Sequence, residues 1–266
     1  MNVDVFAQSL RQVRKSLFTV GLGVAAFFYL ILLSSSSFAT DSDVQGFLRE
    51  PPRAVQALMG GSVDFLHPSG WVAAGMSHLL TLSLFSAAAL MIAAGAVATE
   101  VERGTIDLVL TRPVRRTSFL AGKAVAALVA VTFVEAMGFA SALVARLTID
   151  KVDEVAVADL ARVFLGSWLL FVGVAMIALL ISAHSSLRGR AIGMAAGVVV
   201  ASFFVNFAAL LIDELYGLRF LSPFHYFRAA EVMEGDALLD LWALVGLALV
   251  AVTAAMIGFA GRDVRR

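Results

Sequence analysis

The chain has 266 residues, of which 60% are hydrophobic and only 15% charged, with a mean hydropathy of +0.90; that composition excludes an ordinary soluble domain and makes lipid the solvent for most of the chain. Its 20 basic residues balance 20 acidic ones, so no global field draws it to nucleic acid, and only the placement of charge informs. Without cysteine there is no disulfide framework, thiolate metal site or cysteine nucleophile, and the scattered histidines His67, His78, His184 and His225 form no helix-spaced metal pair.

At the start of the chain Val3, Phe6, Leu10, Val13 and Leu17 recur at helical spacing, with Asp4, Gln8, Arg11 and Lys15 on the other side. This pattern predicts a helix over 1–15 lying in the membrane interface, against lipid headgroups or an acidic partner. A bilayer core about 30 Å thick needs roughly 20 helical residues, and the uncharged run Ser16 to Thr40 supplies the first span. The rival reading is a secretory signal, with Arg11 to Lys15 as its basic region and Ser37-Phe38-Ala39 as its cleavage site. The run exceeds the roughly 7 to 15 residues of a signal's apolar region, which favours a retained span.

Further uncharged runs follow at Trp71 to Thr99, Ala124 to Ala145 (interrupted only by Glu135), Val163 to Ala183, Ala191 to Ile212 and Leu241 to Gly261. Continuous apolar runs indicate helices rather than barrel strands, which alternate in face. The fold class expected is all-α: a single polytopic transmembrane domain over 1–266 with six spans. Gly189, Gly193, Gly197 and Ala201 make a small-residue stripe on the fifth span, suited to close approach by another helix. The segments Asp41 to Gly70, Arg146 to Arg162 and Asp213 to Asp240 are too short for a domain with its own core. Within the last, Ser222 as N-cap and Pro223 at the first helical position predict a short amphipathic or re-entrant helix carrying Phe224, Phe227 and Ala230 on one face.

Between the second and third spans, the loop 100–123 has its own helical logic. Thr105 can cap a short helix, Ile106, Val109 and Leu110 form an apolar stripe, and Pro113 stops it before a cluster of Arg112, Arg115 and Arg116. A charged helix with one apolar stripe suits a docked partner, although an interfacial loop would carry the same arginines.

Orientation follows from lysine and arginine. The ends and the loops on their side hold thirteen, from Arg11, Arg14 and Lys15 through Arg103 to Lys123, Arg188 and Arg190, to Arg262, Arg265 and Arg266; the other side holds seven. By the positive-inside rule both ends of the chain are expected in the cytoplasm.

The loop resembles a known pattern. Glu100, Glu102, Gly104, Thr105, Ile106, Val109, Leu110, Pro113, Val114 and Arg116, followed by Gly122-Lys123, are similar to the first cytoplasmic loop of the permease subunits of type-2 ABC exporters. Ser222 to Phe227 is similar to that family's Pro-aromatic segment before the last span. The resemblance implies a permease of the bacterial cytoplasmic (plasma) membrane that forms a homodimer or heterodimer and docks on two copies of a separate ABC ATPase. It also implies that the loop is a coupling helix, with Glu100, Glu102, Gly104, Thr105, Ile106, Val109, Leu110, Pro113, Arg115 and Arg116 as its coupling residues. ATP and Mg²⁺ are expected on the partner and no cofactor or metal on this chain, because a P-loop needs G-x-x-x-x-G-K-[ST] whereas Gly122-Lys123 is followed by Ala124.

Inside the spans, Glu135 stands twelve residues beyond Lys123, about 18 Å along the helix and close to the midplane. An acid there is costly and should face a cavity or a protein partner, or be protonated. With Asn206 and His78 it is a candidate for the translocation path, packing being the alternative for all three. Glu135 would also serve an ion- or proton-coupled secondary transporter, but no internal repeat and no proline-broken span supports that reading. An intramembrane protease is disfavoured because Gly166-Ser167 lacks the G-x-S-G frame and the sixth span has no histidine.

Overall fold

A computed structural model describes residues 3–38, 51–61, 63–104, 116–150 and 152–261. The elements among them are helical: α1 (Val3–Phe38), α2 (Arg53–Leu58), α3 (Pro68–Ser77), α4 (Leu79–Ala93), α5 (Ala98–Glu102), α6 (Arg116–Thr148), α7 (Val157–His184), α8 (Arg188–Leu211), α9 (Ala229–Glu234) and α10 (Leu241–Gly261). Three 3₁₀ turns, Val152–Glu154, Asp213–Leu221 and Pro223–Tyr226, lie in the connections. Helices α1, α6, α7, α8 and α10 are each long and apolar enough to cross a membrane, and α3 with α4 meets the same test as a bent pair, which makes six. The protein is an all-α polytopic membrane protein.

Two elements differ from the sequence reading. The expected interfacial helix and first span are one continuous helix of 36 residues, about 54 Å long at 1.5 Å per residue. No proline or glycine interrupts it before Gly21, and its apolar stripe meets protein: Phe6, Leu10 and Val13 pack on the core and Leu17 is buried. The second span is discontinuous without a proline. His78 has extended backbone (φ −64°, ψ 135°), which ends α3, and its Nδ1 accepts the N–H of Leu80 at 3.2 Å, which caps α4. The two halves bend by 49° there.

Helix α7 is the centre of the bundle, with 67% of its most apolar window buried against 17% for α8. α1 lies along α6, α10 lies along α7, and α4 packs on α1, α6 and α7. Small residues let these helices approach closely. A Cβ at Gly138 would stand 3.0 Å from the Phe164 ring and 3.2 Å from Val24, and one at Gly75 would stand 2.9 Å from Phe28. The rings so admitted meet edge to face, Phe28 with Phe164 at 5.5 Å and Phe139 with Phe164 at 5.5 Å. α8 is peripheral, and its Gly189, Gly193 and Gly197 have nothing within 4 Å of the position a Cβ would take, so the small-residue stripe faces away from its own chain.

Before α10 the Ser222-Pro223 start forms as expected: Ser222 Oγ accepts the N–H of Phe224 at 3.2 Å while donating to the carbonyl of Ser202 at 2.7 Å. The helix divides into the 3₁₀ turn Pro223–Tyr226 and α9, with Phe224 and Phe227 buried. Arg228 holds the segment closed by ion pairs to Glu231 and Asp240, both at 2.7 Å.

Candidate functional site

The described part of the loop is built on a turn. After α4 the chain turns through residues 94–97, and the N–H groups of Val97 and Ala98, which begin α5, donate to the buried hydroxyl of Ser182 on α7 at 3.0 and 3.2 Å. Helix α5 ends at Glu102 with Arg103 as its cap, and Gly104 just beyond has a φ of +64°, left-handed and open to glycine at little cost. The glycine of the loop pattern thus has a backbone reason: it turns the chain out of α5.

Two carboxylates of α5 tie this piece to two other helices, in the second turn of α6 and at the start of α8. Glu100 pairs with Lys123 of α6 at 3.6 Å, both side chains largely buried, and the ammonium lies 5.5 Å from the centroid of the Phe119 ring. Glu102 Oε2 accepts the backbone N–H of Arg188 at 2.6 Å, satisfying one of the donors left orphaned at the beginning of α8. An anionic cap also complements the positive end of that helix dipole. The α5 segment is therefore bonded to α6, α7 and α8 together.

Of the expected coupling residues, Glu100, Glu102, Gly104 and Arg116 are described; Thr105, Ile106, Val109, Leu110, Pro113 and Arg115 lie outside the described residues. Sequence reasoning placed Lys123 in the loop pattern without a role of its own, used Arg188 only for orientation, and passed over Ser182. Lys123, a cation at the mouth of an apolar run, was the available signal for the first. For the other two, only contacts between distant positions reveal the roles.

The three interior candidates occupy separate places. Glu135 is buried in the seam between α6 and α7, where Ser167 Oγ donates to its Oε1 at 2.7 Å; Oε2 has no hydrogen-bond partner among the described residues. One turn earlier Trp168 Nε1 donates to Thr132 Oγ1 at 2.8 Å, so two side-chain hydrogen bonds join these helices side by side. Asn206 of α8 is buried against a small cavity shared with Ser77, Phe203, Phe224 and Phe227, its Oδ1 likewise unpartnered among the described residues. His78 sits at the break of the second span with its ring 5.0 Å from that of Phe27. Among the described residues no cluster of His, Asp and Glu stands close enough to hold a metal ion.

The sequence model of the ABC-2 family transporter proteins matches residues 4–264. No individual curated protein matches the chain closely enough to count as a relative. The match runs from the beginning of α1 to beyond the end of α10 and so takes in the bent second span, the α5 linkage and the Ser222 turn alike. The chain belongs to the ABC-2 family of transporter proteins, the membrane-spanning components of ABC transporters.

Proposed function

We propose that this chain is the permease of an ABC exporter in a bacterial cytoplasmic membrane, with both ends of the chain in the cytoplasm, and that the loop 100–123 passes the ATPase cycle of a separate subunit to the spans. What supports the reading is the pair of links made by α5: Glu100 to Lys123 in the second turn of α6 and Glu102 to the N–H of Arg188 at the start of α8. An ATPase that grips Ile106, Val109 and Leu110 acts on a segment that directly follows these links, because Glu100 and Glu102 are already joined to α6 and α8. Burying three aliphatic side chains in a partner groove contributes roughly 1.5 to 3 kcal/mol each before the costs of association, so the stripe supplies the hold and the arginines set orientation and rate.

Two ATPase copies and a second permease subunit complete the transporter. The outward face of α8 supports the second subunit as its cover: the stripe Gly189, Gly193 and Gly197 is open, and an apolar groove lined by Leu82, Ser86, Leu90, Val199, Phe203 and Phe204 runs between α4 and α8 beside it. Substrate then passes at the junction of the two subunits. Purification of the tagged chain from native membranes in mild detergent tests the assignment. A polypeptide with Walker A and Walker B motifs should copurify and hydrolyse ATP; a chain that transports without any such partner would overturn it.

A secondary transporter using Glu135 draws on two observations, the unpartnered Oε2 and the discontinuous second span. They do not converge, since the break at His78 contacts Phe27 while Glu135 is bonded to Ser167.

A further inference from the structure

Helices α1, α4, α5, α6 and α8 meet around a cavity at the α5 end of the bundle. Gln12 of α1, Thr99 and Glu100 of α5, Arg103 just after it, Lys123 of α6 and Arg188 of α8 all line it, and its volume is about 350 Å³. Its charge is uneven. Lys123 and Glu100 pair with each other, and the carboxylate of Glu102 is engaged by the N–H of Arg188. The guanidinium groups of Arg103 and Arg188 have no ion-pair partner among the described residues, and both side chains are exposed. The Arg188 side chain passes beside the turn after α4, its Nε 3.8 Å from where a Cβ of Gly95 would be, and both residues line the cavity. Among the described residues the lining carries three basic side chains, Arg103, Lys123 and Arg188, against the carboxylate of Glu100, with the carboxylate of Glu102 beside Arg188; its balance is positive, with Gln12 and Thr99 as neutral hydrogen-bonding neighbours.

We propose that this cavity binds a phosphate-bearing anion between Arg103 and Arg188. Guanidinium groups present forked donors that match two phosphate oxygens at once, and two of them lining one cavity from different elements suit a tetrahedral anion better than a planar carboxylate. Basic pockets between transmembrane helices accept the headgroups of acidic phospholipids, and the exposed side chain of Ile192, one turn along α8, also lines the cavity and offers apolar surface for an acyl chain. The anion offsets part of that positive charge and bridges Arg103, just after α5, to α8, alongside the contact that Glu102 makes with the same helix. The site belongs to the chain alone and needs no ATPase, so it stands or falls separately from the coupling reading.

The test uses the full-length chain purified without any ATPase in an uncharged detergent, titrated with phosphatidylglycerol, with phosphatidylethanolamine as zwitterionic control and with inorganic phosphate as competitor. Phosphatidylglycerol should bind in preference to the control, and Arg103→Gln and Arg188→Gln should each weaken it about fivefold, the worth of one basic residue at such a site. Arg190→Gln removes the same charge from the same helix but lines a different cavity, with His184 and Met194, and should leave binding unchanged. Displacement by inorganic phosphate identifies a site for the free anion; undisplaced lipid identifies a headgroup site held also through its chains. The proposal is overturned if neither probe binds with a dependence on Arg103 and Arg188, or if Arg190→Gln weakens binding as much as they do.

Discussion

Glu102 Oε2 accepts the backbone N–H of Arg188 at 2.6 Å, so a carboxylate at the end of α5 caps helix α8, 86 positions further along the chain. Removing such a cap costs about 1 kcal/mol, with the loss felt in the first turn of the capped helix. Glu102→Ala should therefore speed amide exchange at Arg188 to Ala191 about fivefold, while Glu102→Gln, which keeps the acceptor and loses only the charge, should have a smaller effect. Hydrogen exchange read by mass spectrometry checks this, and unchanged protection in the alanine variant would separate α5 from α8.

The close approach of α6 to α7 and α1 rests on Gly138, where a Cβ would be 3.0 Å from the Phe164 ring and 3.2 Å from Val24. Overpacking of this kind costs about 1 to 3 kcal/mol. Gly138→Leu should lower the thermal midpoint in detergent clearly, whereas Gly197→Leu, at a position with open space around it, should leave the midpoint of the isolated chain unchanged.

The Glu135 and Ser167 pair makes a sharper case, because the partner of the hydroxyl is a buried carboxyl group. Ser167→Ala leaves Glu135 without its hydrogen bond and should destabilise by about 1 to 3 kcal/mol, while the double replacement Ser167→Ala with Glu135→Leu, which removes both polar partners, should recover most of the loss. A double-mutant cycle in thermal stability measures the coupling. A double variant no more stable than Ser167→Ala would show that Glu135 has a structural partner other than Ser167.

His225, outside the spans, is enclosed by the rings of Phe220 at 4.9 Å and Tyr226 at 5.1 Å. Burial holds its imidazole below the usual histidine value of 6.5, with Arg219 and Arg228 pushing the same way against Asp240 and Glu231. A lowered value in the folded state means the unfolded chain takes up the proton first, so the contribution is fully present above about pH 6.5 and is lost as pH falls toward the folded value. His225→Phe should flatten the acidic limb of the stability profile, measured as the thermal midpoint from pH 7.5 to 5. Equal slopes for the variant and the parent would remove His225 as the cause.

The transmembrane architecture was legible because lipid demands long uncharged runs, and such runs are visible without any tertiary information. Its interruptions were less so. Histidine is not among the residues that commonly cap helices, so nothing marked His78 as the point where the second span breaks, and the missing proline was misleading. At the start of α1 the amphipathic pattern was read correctly as a helix, but periodicity alone does not say whether the apolar stripe meets headgroups or the chain's own core. The coupling pattern was found as a motif, with Gly104 now given a conformational reason by its positive φ. Its attachments were not, since Glu102 to Arg188 and Ser182 to Val97 join residues more than eighty positions apart and leave no local trace.

Co-purification tests the central claim most directly, that the segment following α5 docks an ATPase. With a tag on the permease, the Leu110→Asp protein should insert and accumulate like the parent but lose its ATPase partner in mild detergent, since a carboxylate in place of a buried aliphatic anchor is an unpaired charge in the interface; Arg115→Ala should lose only part of it, in a salt-dependent way. Recovery of a functional ATPase at normal stoichiometry with Leu110→Asp would contradict the coupling role of the loop.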